Sequence, residues 1–250
     1  MGRLLKFELR KLFTQKSTYI LFGIMVGLSV LSVVVSNFSI IAVAMAEISG
    51  NKDASFAALN TLGSANFEII VGIFVAMFVC ADYDLMTNKN VLSRGFTKSE
   101  IYFAKLIVVY AVVIVELIAL FAINFFVGWL TMGLKTNQDF GAFAAKISVL
   151  FIIALAETAM FFAISILLRK TGGSIALNIV TPIAVLLVFM LFDSLAKFED
   201  FALAEYSFSM MQTNILMSPD FTKLPVYAVV CAGYAAFFLV ASYFATVKRD

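Results

Sequence analysis

The sequence predicts an all-α membrane protein with six transmembrane helices, and three observations carry that prediction. Of its 250 residues 62% are hydrophobic and only 14% charged, where a soluble domain carries roughly 25% charged residues. Mean hydropathy is +1.01. The apolar residues fall into six runs, five near or above the ~20 helical residues that cross a bilayer and the second a little shorter, separated by polar segments.

Residues 3–16, RLLKFELRKLFTQK, predict an amphipathic helix, with Leu5, Leu9, Leu12 and Phe13 on one stripe and Arg3 and Arg10 opposite. Such a helix lies at the inner membrane surface with its cations near anionic headgroups. The alternative is an ordinary positive flank of the first span, which covers about 19–46. Ala44-Met45-Ala46 has the small-residue pattern of a signal-peptidase site. The apolar run before it is nearly twice the ~7–15 residues of a secretory core, so it reads as a span. A polar, small-residue loop over 47–66 leads into the second span, about 63–81.

From Ala81 to Lys105 runs the longest polar interruption on the side of the termini. Within it, residues 82–98 predict a short helix along the membrane and a turn at Gly95. Thr97 and Glu100 then predict a capping box, hydroxyl and carboxylate satisfying free N–H groups where the third span (about 101–132) begins. An outer turn over 133–141 precedes the fourth span, about 143–168. The basic turn Arg169-Lys170-Thr171-Gly172-Gly173 leads to the fifth, about 174–195, where Pro182 predicts a kink that neighbouring helices accommodate. Residues 197–224 are too polar to span and too apolar for a plain loop, which predicts one or two short helices on, or dipping into, the outer face. The sixth span covers about 225–247. Gly23 and Gly27 form a G-x-x-x-G that permits close helix approach, a pattern common by chance in such sequences.

Six spans put both termini on one side. With them lie Arg3, Lys6, Arg10, Lys11, Lys16, Lys89, Arg94, Lys98, Lys105, Arg169, Lys170, Lys248 and Arg249, 13 of the 18 basic residues. The positive-inside rule makes that side cytoplasmic. The absence of His excludes His-ligated metal and haem and every His-dependent nucleophile. Cys80 and Cys231 fall within spans and read as packing residues.

The polar interruption resembles the loop between the second and third spans of bacterial ABC-2-type transporter permeases, the membrane subunits of ATP-driven exporters. In that family an acidic residue, Gly-Thr, Leu-Ser, Gly, Arg and a later Lys recur there. Asp82, Thr87, Leu92, Ser93, Gly95, Lys98 and Lys105 stand in those places, with Asp82 for Glu, Met86 for Gly and Lys98 for Arg. The basic first helix, six spans and outer segment fit the same family, making 1–250 a single transmembrane domain. The resemblance implies that 82–98 holds a coupling helix docking on a cytoplasmic ABC ATPase, with Asp82, Asp84, Thr87, Lys89, Arg94, Gly95 and Lys98 as coupling residues. It also implies short extracellular helices before the last span, a second permease copy or paralogue, and a location in the bacterial cytoplasmic membrane. Its lean is toward a peptide or toxin as cargo, for secretion or self-protection of the bacteriocin-immunity kind. No G-x-x-x-x-G-K-[ST] phosphate cradle occurs in the chain. ATP and Mg therefore belong to the partner ATPase, with no cofactor or metal expected on this chain, no catalytic residue and no nucleic acid as partner.

Glu68, Glu116 and Glu157 lie inside predicted spans. A carboxyl at a span centre costs ~2.5–3.5 kcal/mol on insertion scales, so each must face protein or water. With Asn124, eight residues beyond Glu116, they fit either a path for a hydrophobic, amphipathic or cationic substrate or interhelical hydrogen bonding. Two other classes compete with an ATP-driven permease: a secondary transporter taking protons on Glu116 and Glu157, and an ATPase-independent channel or scaffold.

Overall fold

A computed structural model describes residues 2–38, 54–85, 91–132, 140–196, 202–217 and 222–248. Every regular element among them is helical: α1 (Gly2–Thr14), α2 (Lys16–Phe38), α3 (Ala54–Leu62), α4 (Ala65–Asp84), α5 (Lys98–Met132), α6 (Phe140–Leu168), α7 (Thr171–Ala196), a 3-10 turn (Leu203–Tyr206), α8 (Phe208–Met217) and α9 (Leu224–Lys248). Five of these, α2, α5, α6, α7 and α9, are long and apolar enough to cross a membrane. The expected second span falls on α4, which has 20 residues but carries Glu68 near its start and Asp82 and Asp84 at its end.

α4 is the hub. It packs against α2, α5, α6 and α7, and Val71, Phe74, Val75, Phe78 and Val79 are all buried in the main core. Apolar residues surround most of its circumference because neighbours surround it too. α6 is the second buried helix, clasped by α9 along its length. α2 and α7 lie outside, where Ile20, Ile24, Leu28 and Leu31 of the one and Val180, Ile183, Leu187 and Leu191 of the other are exposed. Aliphatic faces of that extent are at home in hydrocarbon.

The structure departs from expectation in three places. Residues 54–62 belong to the expected polar loop, yet they form α3, with Ala57, Ala58, Leu59 and Leu62 buried against α5. Small side chains let α3 approach closely, a packing effect that composition cannot distinguish from a loop. In α1 the buried face is Leu4, Glu8 and Leu12, while Phe13 of the expected stripe is 66% exposed. The stripe is rotated because an acidic residue occupies the inward seam. Gly23 and Gly27 have nothing within 4 Å of an added Cβ, whereas Gly72 meets Asn178 Cβ at 3.2 Å, so the close approach of helices falls between α4 and α7. α7 itself runs through Pro182 as one helix. Residues 39–46, the expected end of the first span, lie outside the described residues.

Candidate functional site

The polar segment between α4 and α5 closes with two local devices. Arg94 and Gly95 N–H groups bond back to the Val91 and Leu92 carbonyls at 3.2 and 3.0 Å, and Gly95 takes φ +87, a region open to glycine at little cost. The Thr97 N–H then donates to Glu100 Oε2 at 3.0 Å and the Glu100 N–H to Thr97 Oγ1 at 3.2 Å. That reciprocal pair is the expected capping box, and it fixes where α5 starts. Arg94 and Gly95 are exposed and Lys98 half-buried. Thr87 and Lys89 lie outside the described residues.

Beneath this segment lies a buried ionic network that joins three helices. The Asp82 carboxylate at the end of α4 accepts from Lys11 Nζ of α1 at 2.7 Å and from Lys105 Nζ of α5. Glu8 of α1 stands 3.6 Å from the same Lys105 and 3.9 Å from Lys11. Lys105 is 1% exposed and Glu8 2%. Two carboxylates answer two ammoniums, so charges that would be very costly alone are compensated as a set. Burial, and then the Lys105 ammonium, hold Lys11 below the usual lysine range. Lys11 Nζ also donates to the Phe78 carbonyl at 3.3 Å and sits 4.8 Å from that ring's centre.

Of the expected coupling residues, Asp82 is therefore an internal tie and Asp84, Arg94 and Gly95 are surface groups. Asp84 accepts from the Thr171 hydroxyl at the start of α7. Beside it the Arg169 guanidinium lies 5.4 Å from the centre of the Tyr83 ring, and Arg169 takes φ 55 in the two-residue link from α6 to α7. The basic turn after α6 thus docks on the same end of α4. Sequence reasoning left Glu8 and Lys11 out of the site. The signal was there: Glu8 is the one acid in a basic helix and stands four residues from both Leu4 and Leu12.

The four intramembrane polar groups do not converge. Glu68 and Glu157 face each other carboxyl to carboxyl, and the Gln212 amide of α8 donates to Glu157 Oε1 at 3.1 Å. Asn124 belongs to another seam, donating to Ser29 Oγ of α2 at 3.2 Å and to the Leu120 carbonyl at 2.8 Å. Glu116 is buried, and its Oε2 has no hydrogen-bond partner among the described residues. Gln212 was missed because it lies in the outer segment, which reads as a surface element.

The outer segment is tied down at several points. Asp193 near the end of α7 accepts from the Leu203 and Ala204 N–H groups at 2.7 and 2.8 Å, capping the 3-10 turn. Glu205 accepts from Lys223 Nζ at 2.5 Å and from the Tyr227 hydroxyl at 2.7 Å. These hydrogen bonds, led by the one from Lys223, hold the Glu205 carboxyl below the usual range. α8 follows with Phe208, Met211, Gln212 and Ile215 buried. It reaches Glu157, 17 residues along α6 from Phe140, or about 25 Å of helix. It therefore lies beside the middle of α6.

A family model described as an ABC-2 family transporter protein matches residues 4–140, just over half of the chain. No curated protein matches it.

Proposed function

The chain belongs to the ABC-2 transporter family, whose membrane permeases partner an ABC ATPase subunit, and from that premise we propose that it is the permease of an ATP-driven exporter for a hydrophobic or amphipathic substrate, a peptide in the first instance. Residues 1–250 form one transmembrane domain in the bacterial cytoplasmic membrane. α4 serves as the second of six crossings, which leaves both termini in the cytoplasm. Two such chains, identical or paralogous, face two ATPases that hold the ATP and Mg.

The observation that carries this reading is the Glu8–Lys11–Asp82–Lys105 network. A subunit that receives force from a soluble motor needs its receiving loop fastened to more than one helix. Asp82 sits at the root of that loop and is bonded to α1 and α5 together. Movement of the loop then turns into movement of two helices, and the cavity changes access as a population shift. The exposed Asp84 and Arg94, with Thr87, Lys89, Gly95 and Lys98, make the docking surface; Asp82 transmits. Glu68 and Glu157 line the substrate path with Gln212 of α8 beside them, while Glu116 and Asn124 stand on the separate α5 seam.

Affinity purification of the intact protein from native membranes, with mass spectrometry of what is retained, tests this. A stoichiometric Walker-motif ATPase is expected, and Arg94→Ala or Lys89→Ala reduces its retention. An oligomer without an ATPase overturns the reading in favour of proton-coupled transport through the buried glutamates.

A further inference from the structure

α1 has two faces of different chemistry. Leu4, Glu8 and Leu12 point into the protein, and Lys11 leans the same way onto Asp82. On the opposite arc Arg3, Lys6 and Arg10 are exposed together with Phe7 and Phe13, which are 46% and 66% exposed. Positions 3, 6, 7, 10 and 13 are three or four apart and so share one side of a helix. No acid interrupts that side, because Glu8, the helix's single acidic residue, is turned inward.

We propose that this outward face of α1 is a binding site for anionic lipid headgroups. Three cations answer the headgroup charge, and two phenyl rings enter the acyl boundary, the division of labour found in helices lying in a membrane interface. The position of the face selects a lipid surface over a soluble partner. One residue, Gln15, separates α1 from α2, and the Tyr19 hydroxyl donates to the Phe13 carbonyl at 3.2 Å. Phe13 is thereby held at the level of the first turn of a membrane-crossing helix, beside an exposed tyrosine of the kind that marks the interface. The ion pairs on the inner side fix the helix's rotation, so the cations cannot turn away from the membrane. Lipid charge then reaches the Asp82–Lys105 tie through a single helix.

The chain has one tryptophan, Trp129, which makes a clean probe possible. In a Trp129→Phe background, Phe13→Trp reports on the lipid beside α1. The full chain is placed in phosphatidylcholine vesicles carrying either brominated phosphatidylglycerol or brominated phosphatidylcholine at equal mole fraction. Quenching by the brominated phosphatidylglycerol exceeds that by the neutral lipid. The preference falls with each of Arg3→Gln, Lys6→Gln and Arg10→Gln, by about fivefold per cation, and with added salt. Equal quenching by the two lipids overturns the proposal, since the face would then be interfacial without selecting charge. Absent quenching overturns it too, by placing protein against the face. The measurement needs no ATPase, so its failure and a failure of the transport reading are separate results.

Discussion

Asp82 holds two ammoniums with one carboxylate, and that arithmetic makes its substitutions predictable. Asp82→Asn leaves Lys105 with only the more distant Glu8, 3.6 Å away, in a site where an uncompensated charge costs about 3–5 kcal/mol. Lys105→Met alone is milder, because Lys11 still answers Asp82. The double variant Asp82→Asn with Lys105→Met should therefore be more stable than the sum of the two single losses. Thermal unfolding in detergent measures this coupling, and strictly additive losses would sink the network. Asp82 and Lys105 were legible in the sequence because they bracket one polar segment, 23 positions apart. Glu8 and Lys11 were not, since they stand about 70 positions from Asp82 along the chain and only the packing of α1 brings them there.

Among the elements, legibility followed hydropathy. α5, α6, α7 and α9 start within three residues of the predicted spans, because long apolar runs leave little choice about what enters a membrane. α3 escaped detection because nine residues rich in alanine have no period to read, and its burial against α5 is a tertiary event. The outer segment was predicted as short helices, but not its fastening. Because Glu205 is held below the usual carboxylate range in the folded state, its bonds to Lys223 and Tyr227 stabilise the segment above that range. The contribution is lost as pH falls through the lowered folded value, where the carboxylate takes up a proton. Protection of residues 202–217 relative to intrinsic exchange at each pH should fall at acid pH, below the usual carboxylate range, and Glu205→Gln should lower that protection at neutral pH. Exchange in that variant equal to the parent at pH 7 would show that Asp193 and the apolar face of α8 hold the segment without Glu205.

At the scale of the whole molecule the polar groups divide between two ends and two seams. Glu8, Lys11, Asp82 and Lys105 gather at one end, while Asp193, Glu205, Lys223 and Tyr227 gather at the other. Between them Glu68, Glu157 and Gln212 join α4, α6 and α8, whereas Glu116 and Asn124 belong to α5 on a separate side. The sequence offers all four intramembrane positions either as one path or as interhelical hydrogen bonds, since depth in a span can be read from sequence and the facing of a helix inside a bundle cannot. The division has a measurable consequence for transport. Two carboxyls that face each other in a low-dielectric seam act as one unit, so Glu68→Gln and Glu157→Gln should each remove most of what the double variant removes. Glu116→Gln shares no partner with them, and its effect should add to either within about 0.5 kcal/mol, the usual tolerance for independent sites. Additivity between Glu68 and Glu157 would deny the pair. Non-additivity between Glu116 and Glu157 would instead require the α5 seam and the α4–α6 seam to meet during the transport cycle, in a conformation other than this one.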